Sequence, residues 1–298
     1  MLSVGNIVGG GLGMLRSRPI AVAVWALIYS GATIAYYLAV RAGLPVQQPA
    51  TPETDPGVLA GMMGLGLLIM IVFLVFYMTL LTAAMRSAFR PDEPGLFYLR
   101  FGMDELRQIG LCLFLLILFY VGMIIVGIVM VVVAGLAVAA TGTGVVMYVV
   151  IGIEVALFLA VAVWLNLRFT LAFPLTLLRG RFTITESWRL TRGRVWTLFG
   201  GFFLIWLILI LLSVGAASVT LADYLADLAR GGFGPEALRA AAQAQMARQM
   251  GPIEAMMVVG WILNGTAAAV GIAIYGGALA TSALQLADVR AEMAETFA

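Results

Sequence analysis

The chain has 298 residues, of which 63% are hydrophobic and 11% charged, and its formal net charge is +2. Soluble domains carry roughly 25% charged residues, so this composition excludes an ordinary soluble protein and predicts an α-helical integral membrane protein. Because the chain has no histidine and one cysteine, it lacks the residues for His/Cys zinc sites, Ser-His-Asp or Cys-His catalysis and internal disulfides.

Six apolar runs are long enough to cross a bilayer, which takes about 20 apolar residues in a helix. The predicted spans cover about residues 20–40, 58–81, 109–133, 145–167, 198–219 and 256–280. A polar loop with prolines (41–56) separates the first two spans, and a short turn (141–144) separates the third and fourth. The longest polar interval, about 30 residues, is too short to form a core of its own. We therefore predict a single integral membrane domain over residues 1–298.

Three further helices are predicted in the polar intervals. Prolines after the second span end that helix, and residues 97–108 are predicted to form an interfacial helix. Thr183 and Glu186 have the spacing of a capping box, which predicts a second interfacial helix over 184–197. Pro235 and the Gly251-Pro252 stop predict a helix over 235–250. The predicted fold class is all-α: a polytopic helical membrane protein with six transmembrane helices and cytoplasmic interfacial amphipathic helices.

The distribution of arginine predicts the orientation of these spans. All 17 basic residues are arginine; the intervals after the second and fourth spans hold four and six, and those after the first, third and fifth hold one, none and three. Cytoplasmic loops carry the excess of basic residues. This predicts a bacterial inner-membrane protein with cytoplasmic N- and C-termini and a periplasmic helix 235–250. The two arginine-rich intervals also share an order: each has an arginine at the exit of a span, a break, an acid followed by arginine, and a new span. Either a weak internal repeat or convergence, because all cytoplasmic membrane loops meet similar requirements, would produce this shared order.

The richest of these intervals lies between the fourth and fifth spans. Its arginines are Arg168, Arg179, Arg181, Arg189, Arg192 and Arg194. Arginine binds phosphate with two parallel hydrogen bonds, and tryptophan favours the depth of the lipid headgroups. In a helix, Arg189 and Arg192 are neighbours and Arg194 points elsewhere. We predict that Arg189, Arg192, Arg194 and Trp188 bind lipid headgroups. Two alternatives stay open: the arginines only set the topology, or Arg194 pairs with a cytoplasmic acid.

Two polar residues lie within predicted spans. Glu154 is the acidic residue deepest in a span, where a charge costs at least a few kcal/mol, so it is a candidate for proton or ion coupling. The alternative is a protonated side chain, or one that pairs with a polar neighbour such as Asn264 of the sixth span. Asn264 itself is expected to form interhelical hydrogen bonds.

The segment from Glu186 to Gly200, ESWRLTRGRVWTLFG, resembles the signature of the membrane domain of bacterial glycerophosphodiester phosphodiesterase-like proteins, a group that includes uncharacterised six-span inner-membrane proteins. The specific match covers about 35 residues of the arginine-rich interval, and the six-span layout covers most of the chain. Members of this family with phosphodiesterase activity carry it on a separate barrel that uses histidines and metal-binding carboxylates. Since this chain has neither the barrel nor a histidine, the resemblance implies only a helical membrane domain associated with phospholipid or glycerophosphodiester metabolism.

The functional prediction follows from these residues. We expect a non-enzymatic inner-membrane protein that associates with phospholipids by binding anionic headgroups, as a scaffold or in lipid handling. The alternative is a secondary transporter in which Glu154 couples transport to protons or ions. We predict no catalytic residue, no metal site, no cofactor and no nucleic-acid partner. The expected partners are membrane phospholipids, and a homo-oligomer or a partner membrane protein stays open.

Overall fold

The computed structural model describes residues 2–41, 56–93, 95–142 and 144–296. Helices make up 87% of the structure, and the described ranges contain no strand beyond one isolated bridge between Leu96 and Leu99. The helices in these ranges are α1 (Val4–Ser17), α2 (Pro19–Arg41), α3 (Pro56–Phe89), α4 (Met103–Thr141), α5 (Val145–Phe169), α6 (Ala172–Arg179), α7 (Ile184–Leu190), α8 (Val195–Gly231), α9 (Pro235–Met250) and α10 (Ala255–Thr296). The polar loop predicted over 41–56 and part of the turn predicted over 141–144 lie outside the described residues.

Six helical segments are long and apolar enough to span a membrane, so the chain is a multi-pass helical membrane protein. The segments are Pro19–Ala39, Met63–Phe89, Met103–Ala140, Met147–Arg179, Val195–Gly231 and Ala255–Ala287. The predicted six spans and the all-α fold class are therefore confirmed. Each segment is helical because in lipid a backbone must satisfy its own hydrogen bonds, which a helix does. Its side chains are mostly apolar because polar side chains are costly in the hydrocarbon of a bilayer.

The chain divides into two compact units. We call the first, residues 1–7, 101–202 and 279–298, the arginine unit because it contains the arginine-rich stretch. The second unit comprises residues 8–100 and 203–278.

In the second unit, α9 lies where the sequence places the helix 235–250, with Pro235 in its first turn. Two contacts join it to α8: Arg248 Nη2 donates to Asp227 Oδ2 over 2.6 Å, and Gln245 Nε2 donates to the Thr220 carbonyl over 3.0 Å. The hydrogen bond to Asp227 raises the pKa of the Arg248 guanidinium above its usual value. These contacts make α8 and α9 a helical hairpin.

Glycines in α10 let neighbouring helices of the second unit approach closely. A Cβ atom on Gly265 would lie 2.5 Å from Ser30 Cα of α2, and one on Gly276 would lie 2.6 Å from the Ala84 Cβ of α3. The Ser30 hydroxyl donates to the Ile262 carbonyl of α10 over 3.1 Å. The stacked rings of Tyr37 and Trp261, with centroids 5.0 Å apart, extend the contact between α2 and α10.

Gly265→Ala should therefore destabilise the protein. Its new methyl group meets the backbone of α2, which cannot rotate away, and overpacking of this kind costs about 1–3 kcal/mol. Alanine stabilises a helix by up to about 1 kcal/mol relative to glycine, which offsets part of this cost. We therefore expect the free energy of unfolding to fall by about 1 kcal/mol. Reversible unfolding in mixed micelles of sodium dodecyl sulfate measures this change.

The matched control is Gly64→Ala in α3, where a new Cβ atom meets no atom within 4 Å. This substitution should leave the stability unchanged or raise it slightly. Equal destabilisation by the two changes would show that the close approach at Gly265 is not what matters.

The interfacial helix predicted over 97–108 is wrong in its first half. Residues 97–102 are not helical, and the helix begins at Met103 and continues without a break into the third span. Phe97 and Tyr98 have positive φ angles of 53° and 63°, a conformation that aromatic residues rarely adopt. Trp25 Nε1 donates to the Phe97 carbonyl over 3.0 Å, and Arg86 Nη1 donates to the Tyr98 carbonyl over 2.7 Å. These bonds from α2 and α3 hold both carbonyls in a non-helical turn.

Candidate functional site

The arginine unit is built on the long helices α4 and α5, which pack against each other, with α6 against α4 and α7 against both α5 and α6. Gln108, which is buried in the first turns of α4, donates from Nε2 to the Phe173 carbonyl of α6 over 2.8 Å. Helix α6 ends at Gly180, whose φ of 63° is the left-handed conformation common after a helix. The chain then turns back so that α7 can lie beside the end of α5.

Helix α7 begins after Thr183, as the sequence predicts, but without the expected capping box. The Thr183 hydroxyl lies 3.2 Å from the Thr176 hydroxyl and donates to the Ala172 carbonyl over 3.3 Å. Glu186 is instead paired with Arg179, whose Nη2 atom lies 3.0 Å from its Oε1 atom. Both residues of the predicted box therefore join α7 to α6.

The single interfacial helix predicted over 184–197 is also wrong, since α7 ends at Leu190 and α8 begins at Val195. The Thr191 hydroxyl donates to the Ser187 carbonyl over 3.0 Å, and Gly193 has a φ of 80°. A glycine in this conformation shortly after a helix is a common stop signal. The glycine of Thr191-Arg192-Gly193 is a helix stop that can be read from the sequence, but the predicted helix over 184–197 ran through it.

All three of the predicted headgroup-binding arginines lie at this stop. We call Arg189, Arg192, Gly193 and Arg194 the basic turn. Arg189 and Arg192 are exposed, and Arg194 is half-buried. Within the part of the chain that the structure describes, none of the three guanidinium groups forms an ion pair or a hydrogen bond. Glu186, the nearest acid along the chain, is paired with Arg179. The basic turn therefore presents three cations without internal counter-ions among the described residues.

Trp188 lies beside the basic turn but is held by an arginine that the sequence analysis did not single out. The Arg168 guanidinium carbon lies 5.2 Å from the ring centroids of both Trp164 and Trp188, within cation–π range. The two indole rings meet edge to face with centroids 5.3 Å apart. The Ser187 hydroxyl donates to the Arg168 carbonyl over 2.7 Å. We call Trp164, Arg168 and Trp188 the tryptophan–arginine stack.

An apolar groove of about 690 Å³ lies between α5 and the start of α8. Its α5 wall consists of Leu159, Ala160, Val163, Trp164 and Leu167, which share one face of that helix. Its opposite wall consists of Gly193, Val195, Trp196 and Phe199. The groove therefore touches the basic turn through Gly193 and the tryptophan–arginine stack through Trp164.

The two predicted intramembrane polar residues have different surroundings. Glu154 lies in the middle of α5, and its Oε1 atom is buried without a hydrogen-bond partner among the described residues. Asn264 donates from Nδ2 to the Gly260 carbonyl, one turn back in its own helix, over 2.8 Å. Its expected role in interhelical hydrogen bonding stays a prediction.

The arginine unit thus brings together a basic turn, a tryptophan–arginine stack and an apolar groove. The sequence singled out the three arginines of the basic turn but placed them on one helix, and Trp164 four residues before Arg168 was a helical signal for the tryptophan–arginine stack. The groove depends on α8 beginning at Val195, whereas the prediction placed residues 184–197 in one helix. These features stand on this chain alone, because no protein-family model matches it, and neither a curated protein nor a solved structure is significantly similar to it.

Proposed function

We propose that the protein is a non-enzymatic membrane protein of the bacterial inner membrane that binds anionic phospholipid headgroups at the basic turn. In this proposal both termini and the basic turn are cytoplasmic. The resemblance of the segment Glu186–Gly200 to the membrane domain of glycerophosphodiester phosphodiesterase-like proteins favours a link to phospholipids, as a scaffold or in lipid handling.

The observation that carries the proposal is the lack of described partners for Arg189, Arg192 and Arg194. A cation at the end of a membrane span gains about 1 kcal/mol from an anionic leaflet, and a guanidinium fork holds a phosphate in two parallel hydrogen bonds. Arg179 shows the contrast within the same interval, because its counter-ion is Glu186. The three arginine side chains of the basic turn are therefore open to an external anion.

The test separates phosphate binding from a purely topological role. Arg189→Lys combined with Arg192→Lys keeps both positive charges, and therefore the topology signal, but removes the planar fork. We expect membrane insertion to be normal and co-purified anionic phospholipid, measured by mass spectrometry, to fall by about three- to tenfold.

Arg181→Lys is the matched control, because Arg181 is an exposed arginine of the same interval that lies outside the basic turn. It should retain wild-type lipid. If the double variant also retains as much anionic phospholipid as the wild type, the arginines are topology markers and the proposed binding site is wrong.

Glu154 supports a second candidate function, a secondary transporter. A carboxyl group in the middle of a span, with a buried oxygen that lacks a described partner, is where a proton would be carried. Glu154→Gln keeps the shape of the side chain but cannot exchange a proton. For a substrate whose proton-dependent uptake is measurable in proteoliposomes, this variant should fold normally and lose uptake; unchanged uptake would remove Glu154 from the coupling step.

A further inference from the structure

We propose that the apolar groove holds one acyl chain of the phospholipid whose phosphate lies on the basic turn. This inference rests on the proposed function and adds to it: the ligand is an intact anionic phospholipid, bound by chain and headgroup together, and not a free phosphate.

The groove has the form of a slot along a helix. Its α5 wall runs from Leu159 to Leu167, nine residues that span about 12 Å of helix. Its volume of about 690 Å³ lies in the range of roughly 300–1,000 Å³ that is usual for small-molecule sites. The side chains that line both walls are aliphatic or aromatic, so the slot suits a hydrocarbon chain.

One end of the groove coincides with the basic turn. Gly193 lines the groove and stands between Arg192 and Arg194 in the chain, while α5 ends two residues after Leu167. Leu159 lies at the opposite end, deeper along the span. A lipid placed with its phosphate at Arg192 and Arg194 would therefore direct a chain along α5, and the charge of the turn is complementary to that phosphate.

Trp196 marks the depth at which this lipid would lie. Its side chain lines the groove and is 83% exposed, and its ring meets Phe199 edge to face with centroids 6.0 Å apart. Tryptophan favours the boundary between headgroups and hydrocarbon. Trp196, two residues after Arg194, thus carries the ring that suits the point where the headgroup joins the chains.

The test fills the groove without touching a charge. Val163→Trp narrows the slot, and Val161→Trp is the matched control: both valines are exposed residues of α5, 44% and 41% respectively, but only Val163 lines the groove. Each buried methylene contributes about fourfold in binding. Native mass spectrometry with added dioleoyl phosphatidylglycerol should therefore show binding at least about tenfold weaker for Val163→Trp and unchanged for Val161→Trp.

A second pair of measurements separates the two proposals. The double variant Arg192→Gln with Arg194→Gln should lose the preference for phosphatidylglycerol over phosphatidylcholine. If it does so while Val163→Trp and Val161→Trp bind phosphatidylglycerol equally, the groove inference is overturned and the proposed function stands. If the wild type shows no such preference, the proposed function fails and the inference fails with it.

Folding of the variants is checked by size-exclusion chromatography. Should Val163→Trp not fold, Ala160→Leu enlarges another groove residue by a smaller amount and must weaken phosphatidylglycerol binding relative to Val161→Leu. Equal binding by these two variants overturns the groove inference as well.

Discussion

Arg86→Met should be among the most destabilising single substitutions in the chain. The Arg86 side chain is 1% exposed, and its Nη1 atom donates to the Tyr98 carbonyl over 2.7 Å. Methionine has similar length but cannot donate, so the turn that holds Phe97 and Tyr98 at positive φ would lose a charged hydrogen bond in a buried position. We expect the free energy of unfolding to fall by about 2–4 kcal/mol, measured by reversible unfolding in mixed micelles.

Arg16→Met is the control, because it removes the same charge from an exposed position at the end of α1. Surface substitutions usually change the stability by less than about 0.5 kcal/mol. Similar losses for the two variants would mean that Arg86 acts only as a positive charge near the membrane and not through its bond to the turn.

Arg168→Met should have the next largest effect, because it removes the cation from the tryptophan–arginine stack. Two cation–π contacts at a half-buried site contribute about 2 kcal/mol together, and their loss also frees the Trp188 ring. We expect the free energy of unfolding to fall by about 2 kcal/mol. The near-ultraviolet circular dichroism of the coupled Trp164 and Trp188 rings should weaken at the same time.

Arg181→Met again provides the comparison, since it removes one exposed arginine from the same interval and leaves the stack intact. Its stability and near-ultraviolet spectrum should match those of the wild type. A spectrum of Arg168→Met that is indistinguishable from this control would contradict the assignment of the stack.

The sequence predicted the parts of the fold that depend on the sum of many residues. Each span is a run of about 20 apolar side chains, and no single contact decides whether it crosses a membrane. Helix α9 was predicted equally well, because Pro235 and Gly251 mark its ends through local backbone chemistry.

The sequence did not distinguish arginines with different roles. Arg86 and Arg168 both stand near the ends of spans, and each donates to a backbone carbonyl of the segment that follows, Tyr98 and Trp188 respectively. No feature of the neighbouring sequence separates Arg86 and Arg168 from the exposed Arg192. The burial of these two side chains depends on contacts with residues 12 and 20 positions further along the chain. The same limit explains the wrong helix over 97–102, where a bond from Trp25, 72 residues away from its partner, holds the turn.

The most direct test of headgroup binding at the basic turn is to locate the bound lipid. A phosphatidylglycerol with a photoactivatable headgroup is crosslinked to the protein in bilayers, and the labelled peptides are mapped by mass spectrometry. Helix α9 is an internal reference, because it also carries exposed arginine surface at Arg239. We expect labelling concentrated at residues 189–194 that is competed by phosphatidylglycerol and not by phosphatidylcholine. Equal labelling of the basic turn and α9, or labelling that phosphatidylglycerol does not compete, would contradict it.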